Sequence, residues 1–364
     1  MMKQGAVGLY ILLIFWLIAS NLSASDESGY YTKKLLPPSN GIYFGAYPDF
    51  SGYPNETGFE NAVTREKVSD FEEIAGKPII WAFFSKTFGD GFTFPSVEVK
   101  EIQAEGVLPY IRLIPRSNVD ACPEKKFTLS AIISGQFDKD LSAFARSARE
   151  VKAPLMIEFA CEANGDWFPW NAKWNGGNNK DGYGEPDQYD GPERYRDAFR
   201  HIVKLFRAEK ADNVTWFFHI NNADSPDVAW NRFADYYPGD EYVDWVGVSV
   251  YGPLKPGDEW ESFTSLMDKA YPKLCKLTKI KPLALLEFGA YDDGSDKKAR
   301  WIAEALNSII DKKYPRIQAV SYWHEIWQND DQSVSNLRLD SSPKVMDTFR
   351  KLIKNDCFVS KPEF

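Results

Sequence analysis

The sequence predicts a single-domain (β/α)₈ barrel. From residue 41 onward, short apolar segments alternate with amphipathic helical segments, and no linker or change in composition interrupts the alternation. The apolar segments number eight, and eight strands alternating with eight helices is the pattern of this barrel. Hydrophobic residues make up 44% of the 364 residues, which is enough apolar material for one large core.

The predicted strands are apolar runs of similar length, at residues 41–47, 78–84, 108–114, 154–160, 214–220, 245–251, 282–288 and 317–323. Helical periodicity predicts helices at residues 59–75, 96–105, 137–151, 192–208, 230–236, 260–277, 297–313 and 342–354. The fifth helix has the weakest pattern, because Pro226 and Pro238 flank a polar segment. A doubly wound open sheet is the alternative fold. It is disfavoured because no Gly-rich phosphate-binding loop follows the first strand.

The N-terminus has the pattern of a secretory signal peptide. A weakly positive start precedes an apolar run at residues 6–19, and small residues follow at 23–25. The run is shorter than the roughly 20 residues of a membrane span. We therefore predict a signal peptide at residues 1–25, a secreted product (extracellular or periplasmic) and one catalytic domain at residues 26–364. An uncleaved signal anchor is the alternative.

Charge and composition restrict the possible partners. The net charge of −9 argues against nucleic acid and against an anionic membrane surface, so we expect a neutral polysaccharide or oligosaccharide as substrate. Aromatic residues reach 15%, which fits either sugar platforms or an aromatic core. The four cysteines are too widely spaced for a metal site, and we predict no metal, no cofactor and a monomer. Cys275 with Cys357 is the disulfide that we expect if one forms.

Two glutamates close predicted strands on opposite sides of the barrel axis. In a (β/α)₈ barrel the chemistry lies at the carboxyl ends of the strands. Glu162 follows the fourth strand and Glu287 ends the seventh, so the two carboxyls face each other across a cleft. This arrangement suits hydrolysis by double displacement, with one carboxylate as nucleophile and the other as acid and then base. Tyr251, at the end of the sixth strand, is placed to donate a hydrogen bond to Glu287. Either glutamate alone could equally cap a helix or solvate a loop.

The segment at residues 158–170, EFACEANGDWFPW, resembles the acid/base segment of glycoside hydrolase family 26, whose usual run is His-Glu-Met-Asn-Gly-x-Trp-x-x-Trp. Further similar segments follow in the family's order, at residues 195–207, 213–221, 237–251 and 282–289. The resemblance covers roughly residues 150 to 330.

This resemblance implies a retaining endo-β-glycanase, and the predicted signal peptide makes it a secreted one. Such enzymes act most often on β-mannan and less often on mixed-linkage β-glucan or β-1,3-xylan. A non-catalytic carbohydrate-binding barrel is the alternative. The resemblance makes Glu162 the acid/base and Glu287 the nucleophile, with Tyr251 bonded to the nucleophile. The residues that it assigns to substrate binding are Trp167, Trp170, Phe218, Asn221, Tyr251 and Trp323.

The chain departs from the family's pattern at two positions. Cys161 precedes the acid/base where the family has His, and a thiol is the weaker hydrogen-bond donor. The third strand carries Arg112 and is followed by Arg116 where the family has another His. Two cations there could hold a carboxylate on an acidic sugar or could buttress a loop. The thiol of Cys161 in place of the imidazole puts a preference for mannan in doubt.

Overall fold

The computed structural model describes residues 32–50, 63–329 and 331–364. The predicted signal peptide at residues 1–25 lies outside the described residues, as do the first residues of the first predicted helix. In the part of the chain that is described, no helix is long and apolar enough to cross a membrane.

Eight of the described strands form a closed parallel barrel. They pair in chain order from the first to the eighth, and the first also pairs with the eighth along six residue pairs, which closes the sheet. The prediction of a (β/α)₈ barrel is confirmed. The strands are β1 (Ile42–Pro48), β2 (Trp81–Thr87), β3 (Leu108–Ile114), β4 (Leu155–Phe159), β5 (Val214–Asn221), β6 (Trp245–Tyr251), β7 (Leu283–Gly289) and β8 (Ile317–His324).

The strands are buried on both faces, since side chains fill the barrel interior and helices cover its outside. All seven residues of β1, β3 and β7 are buried. Burial on both faces explains why the strands occur in the sequence as continuous apolar runs rather than as alternating ones. A polar side chain that points into such an interior is therefore exceptional.

The helices surround the sheet, and most of them begin and end within a few residues of the predicted bounds. Thr64, Ser262 and Ser342 cap three of them by accepting a backbone hydrogen bond. The helices are α1 (Arg65–Ala75), α2 (Ser96–Ala104), α3 (Leu129–Ile133), α4 (Asp138–Glu150), α5 (Asp190–Ala208), α6 (Phe263–Leu277), α7 (Lys297–Ile310) and α8 (Pro343–Ile353).

Two details differ from the predicted helices. The fifth predicted helix is replaced by two short 3₁₀ turns, Ala229–Asn231 and Phe233–Tyr236, because the proline-flanked polar segment is too short for an α-helix. The five-residue helix α3 was not predicted, because a single turn has too little periodicity to recognise.

Three further short strands follow β8. An antiparallel ribbon of β9 (Ile326–Gln328) and β10 (Val334–Asn336) leaves the carboxyl end of β8, and β11 (Phe358–Val359) pairs with β1. The buried Lys298 of α7 fixes the base of the ribbon, because its Nζ donates to the carbonyl oxygens of Asn336 and Arg338, and Asn336 pairs with the first residue of β9. The ribbon is thereby held beside the cleft described below.

The prediction of a disulfide between Cys275 and Cys357 is wrong, since all four cysteines are free. Cys275 lies in α6, which packs beside β6 and α7, whereas Cys357 lies next to β11 at β1. The two residues therefore belong to separate parts of the barrel wall.

Candidate active site

The carboxyl end of β4 presents Glu162 to the cleft through an unusual backbone. Ala160 and Glu162 have φ angles of 51° and 50°, a left-handed conformation that is uncommon for residues other than glycine. The amide of Glu162 donates to the carbonyl oxygen of His219 on β5 at 2.8 Å. Strained backbone of this kind persists where the surroundings enforce it, often at functional sites.

Both carboxyl oxygens of Glu162 accept hydrogen bonds. Trp167 Nε1 donates to Oε2 at 3.1 Å, and Asn221 Nδ2 donates to Oε1 at 3.1 Å. Glu162 is largely buried yet lines the open cleft. Its two donors fix the direction of the carboxyl group and leave it in reach of a substrate oxygen.

Glu287 lies near the end of β7, facing the interior, and is 4% exposed. Tyr251 donates its hydroxyl proton to Oε2 at 2.6 Å. Arg112 Nη2 lies 2.9 Å from Oε1 as an ionic contact, and His219 Nδ1 lies 4.0 Å from the same oxygen. One hydroxyl donor and two cationic side chains thus surround this carboxyl.

Burial raises the pKa of Glu287 to about 7, with the nearby charge of Glu162 adding to the effect. The charges of Arg112 and His219 and the hydrogen bond from Tyr251 act in the opposite direction and limit the rise. These three groups therefore make an ionised carboxylate possible at neutral pH in a site from which water is largely removed.

Glu287 belongs to a set of buried charges that we call the buried ion cluster. Its other members are Arg112, Glu158 and His219. Arg112 Nε donates to Glu158 Oε1 at 2.7 Å, and His219 Nδ1 contacts Glu158 Oε2 at 2.9 Å. Tyr110 also donates its hydroxyl to Glu158 Oε2, at 2.9 Å. Arg112, Glu158 and His219 come from the neighbouring strands β3, β4 and β5 and point into the barrel.

The cluster fixes the charge state of its members. Burial alone raises the pKa of Glu158, but His219, Arg112 and the hydrogen bonds from His219 and Tyr110 outweigh it and lower that pKa to about 2. For His219, burial lowers the pKa, but the charge and hydrogen bond of Glu158 prevail, so that its pKa is raised overall. An ionised Glu158 follows from these contacts, and the charge and hydrogen bond of Glu158 favour the protonated form of His219.

A cleft of about 640 Å³ opens at the strand-end face, next to Glu162. The structure brings together four of the predicted site residues in the lining of this cleft: Glu162, Trp167, Asn221 and Tyr251. Trp167 is 46% exposed and is therefore free to contact a ligand. Trp327 of the ribbon also lines the cleft and was not predicted, because it lies beyond the eighth strand.

Trp323 lies at the end of β8 next to the buried ion cluster. Its ring stacks on Tyr47 at a centroid distance of 4.3 Å, and the guanidinium carbon of Arg112 lies 4.9 Å from the ring centroid. Its Nε1 donates to Glu325 Oε2 at 2.8 Å. The ring is held rigidly from several sides and is 4% exposed.

Three predicted substrate-binding residues are absent from the lining of the cleft, namely Trp323, Phe218 and Trp170. Phe218 is fully buried on the outer face of the barrel, where it packs against Tyr195 and Tyr237. It faces outward because side chains alternate along a strand and its neighbour His219 points inward. Trp170 is 1% exposed, stacks on Phe168 and donates to the carbonyl oxygen of Cys161 at 2.7 Å. Trp170 therefore supports the segment after β4 and has no surface for a sugar.

The two departures from the family's pattern meet inside the barrel. Cys161 is fully buried, and Arg112 Nη2 lies 2.8 Å from its Sγ. Burial raises the pKa of this thiol well above its usual value. Arg112 is 3% exposed and is engaged by Glu158 and Glu287, so the reading that it holds a carboxylate of an acidic sugar is wrong.

Sequence reasoning missed Glu158, Tyr110 and Ser249, whose Oγ lies 2.8 Å from His219 Nε2. The sequence does hold a signal for Glu158. Like Arg112, it is a charged residue within an otherwise apolar strand, and charges buried in such strands are normally paired. Among the described residues, no group of three His, Cys, Asp or Glu side chains is arranged to hold a metal ion.

The structure places the chain among (β/α)₈ barrel proteins with two carboxyl groups at the strand-end face, one lining the cleft and the other buried against Tyr251. Within that class the chain belongs to glycosyl hydrolase family 26, whose model matches residues 125–329, and both Glu162 and Glu287 lie in the matched region.

Relatives and solved structures agree with this placement. The chain is 32% identical to Endoglucanase H of Acetivibrio thermocellus over 61% of this chain and 22% of that protein. It is 31% identical to the mannan endo-1,4-beta-mannosidase A and B of Caldalkalibacillus mannanilyticus over 46% of this chain and 27% of that protein. Its matches thus span only about a quarter of these relatives' lengths. The fold is similar to the catalytic domain of the Bacillus sp. JAMB-750 GH26 endo-beta-1,4-mannanase, with a TM-score of 0.61, 15% identity, and coverage of 88% of this chain and 87% of that one.

Proposed function

We propose that this chain is a secreted retaining endo-β-glycanase that cleaves a β-linked polysaccharide by double displacement. The observation that carries the proposal is the pair Glu162 and Glu287, of which one lines the cleft and the other lies buried against a tyrosine hydroxyl and two cations. Membership of glycosyl hydrolase family 26 supports hydrolysis of a glycosidic bond.

In the first step, the Glu287 carboxylate attacks the anomeric carbon and the glycosidic C–O bond breaks. Glu162 gives its proton to the departing oxygen, so a covalent glycosyl ester on Glu287 and a free sugar end result. In the second step, Glu162 accepts a proton from water, the water oxygen attacks the anomeric carbon, and Glu287 leaves as a carboxylate. Two inversions give a product with the configuration of the substrate.

The surroundings of each carboxyl support this division of roles. Glu287 is held by Tyr251, Arg112 and His219, which stabilise the charged form that a nucleophile needs. Glu162 lies at the cleft, where Trp167 and Asn221 orient it toward substrate and water. An acid that later acts as a base requires this access to solvent.

As substrate we propose β-mannan or a related hemicellulose. Curated relatives include an endoglucanase, mannan endo-1,4-beta-mannosidases and a beta-1,3-xylanase of Vibrio sp.. The exposed Trp167 and the cleft-lining Trp327 offer flat apolar surfaces for neutral sugar rings. A substrate screen should therefore include mannan, glucomannan, lichenan and β-1,3-xylan, with product sizing to distinguish internal from terminal cleavage.

Product stereochemistry and azide rescue test the mechanism. Proton NMR during hydrolysis of the best substrate should show the β-anomer first. On an activated aryl β-glycoside, Glu287→Ala should lose activity and give an α-glycosyl azide with added azide, whereas Glu162→Ala should give the β-glycosyl azide. An α-anomer as first product, or full activity of Glu287→Ala, would overturn the proposal. Sugar binding without turnover by the wild type would instead support the non-catalytic barrel.

Secretion is tested on the protein that a host exports. We expect the N-terminal residue of the mature protein near residue 26, after removal of the signal peptide. An exported protein that retains residues 1–25 would indicate the signal anchor.

A further inference from the structure

Arg112 joins the proposed nucleophile to the rest of the buried ion cluster. Its Nε donates to Glu158 Oε1 at 2.7 Å, while Nη2 lies 2.9 Å from Glu287 Oε1. The same Nη2 lies 2.8 Å from Cys161 Sγ, and the ring of Trp323 lies against the guanidinium. One rigid planar group thus contacts the nucleophile, a second carboxylate and the aromatic ring at the end of β8.

We propose that Arg112 is a positioning residue for the nucleophile, held in place by Glu158 and in turn holding Glu287 in its reactive position. The inference rests on the proposed function, because that function makes Glu287 the nucleophile. It assigns a task to Glu158 as well, which has no route to the substrate because it is fully buried beneath Arg112.

The charges of the site balance in this arrangement. With Glu162 protonated before the reaction, the positive charges of Arg112 and His219 match the negative charges of Glu158 and Glu287. When Glu287 becomes an ester it loses its charge, but Glu162 has then lost its proton and carries one. The sum therefore stays at zero through the first step, and no uncompensated charge arises in a region of low polarity, where one is costly.

Arginine suits this position better than lysine does. A guanidinium is planar and donates from Nε and Nη in fixed directions, whereas an ammonium is a compact charge with no preferred plane. Only the planar group can contact Glu158 and Glu287 from different edges while its face lies against Trp323. The two contributions, charge and position, can be separated by substitution.

The groups that influence the titration of Glu287 come from four strands and the segment after β4, namely Arg112, Glu158, Cys161, Glu162, His219 and Tyr251.

The test compares Arg112→Gln, which removes the charge, with Arg112→Lys, which keeps it. Arg146→Met is the matched control, because Arg146 pairs with Glu209 on the outside of the barrel at 2.8 Å. Folding of each variant is verified by near-UV circular dichroism and thermal unfolding.

The first readout does not depend on turnover. Protein labelled with ¹³C at the glutamate carboxyls is titrated by NMR, and the Glu287 signal is assigned by its absence in Glu287→Gln. We expect the midpoint of Glu287 to rise by about one pH unit or more in Arg112→Gln, because an opposite charge within about 4–6 Å lowers a carboxyl pKa by about 1–3. Arg112→Lys should retain most of the wild-type midpoint, and Arg146→Met should retain all of it.

The second readout is the rate on the best substrate. Arg112→Lys should lower kcat by roughly 10- to 100-fold with little change in KM, because a misplaced nucleophile slows chemistry rather than binding. Arg112→Gln should lower kcat at least as much and shift the acid limb upward.

Three outcomes are distinguishable. The inference is overturned if the titration midpoint of Glu287 is unchanged in folded Arg112→Gln. It is also overturned if Arg112→Lys has the kcat of the wild type. The second test stands even if the Gln variant does not fold. A wild-type protein that cleaves none of the polysaccharides overturns the proposed function instead, while the NMR titration still decides whether Arg112 controls Glu287.

Discussion

Replacing Tyr251 with phenylalanine should raise the pKa of the proposed nucleophile and move the acid limb of activity to higher pH. The hydroxyl donates to Glu287 Oε2 at 2.6 Å, and burial raises the pKa of Tyr251 well above its usual value, so it remains a donor over the whole working range. A phenyl ring fills nearly the same volume and removes only the hydrogen bond.

The size of the shift follows from the energy of that bond. A hydrogen bond to a charged group contributes about 1.5–3 kcal/mol. Because one pKa unit corresponds to about 1.36 kcal/mol, losing the bond should raise the pKa of Glu287 by about one to two units. The folded protein holds this pKa at about 7. The nucleophile is ionised above its pKa, so the variant should lose activity between about pH 7 and pH 9 and regain it only above that range.

The assay is the pH dependence of kcat/KM on a dinitrophenyl β-glycoside. This leaving group departs without protonation by an acid, so the pH dependence of this reaction reports on the nucleophile. At pH 6 we expect a decrease of about 10- to 100-fold, matching a shift of one to two units. Tyr314→Phe is the matched control, because Tyr314 donates to Asp268 at 2.9 Å on the outside of the barrel.

An acid limb that stays within a few tenths of a pH unit of the wild type, in a folded Tyr251→Phe protein, would refute the reasoning. A uniform loss of activity at every pH would also refute it. That result would mean that the hydroxyl acts on the substrate rather than on the ionisation of Glu287.

Three further changes test other parts of the cleft. Trp327→Ala should raise KM on polysaccharide about tenfold through lost ring contact while leaving kcat on a small aryl glycoside unchanged, as measured by initial rates. Lys298→Met leaves buried carbonyl oxygens without a donor and should lower the free energy of unfolding in urea by about 2–4 kcal/mol, whereas the exposed Lys297→Met should change it by less than about 0.5 kcal/mol. Cys161→His places a larger ring against Arg112 in a fully buried site, so activity should fall on every polysaccharide of the panel; a gain on mannan alone would contradict this.

The barrel could be predicted from the sequence because its strands are buried on both faces and so form continuous apolar runs. The same property limits the accuracy of the bounds. Ile79 and Ile80 belong to an apolar run and are buried, yet β2 begins at Trp81, where pairing with Leu108 of β3 starts. Apolar character records burial, whereas the bounds of the strand follow its residue pairing with a neighbour.

The two carboxyls could be predicted because the ends of parallel strands meet at one face, whatever the register between them. The contacts beneath them could not be predicted. Arg112 meets Glu158 only because β3 and β4 pair in the register that places these two residues side by side, and that register is a property of the closed sheet. The prediction that Phe218 binds substrate was wrong because it ignored the alternation of side chains along β5: His219 points into the barrel, so its neighbour Phe218 packs outside.

The buried ion cluster is better explained by chemistry than by stability. Replacing a buried ion pair with well-packed apolar residues is often neutral or stabilising, because desolvation offsets the attraction between the charges. A barrel that needed only a filled interior would therefore have no use for Arg112, Glu158 and His219. Without these residues, Glu287 would be a lone buried carboxyl. Burial would then raise its pKa further, because no cation would oppose the effect, and the protonated group could not attack. The second carboxylate is needed for the same reason, because two cations beside a single carboxylate would leave a net positive charge in the interior before the reaction and throughout it.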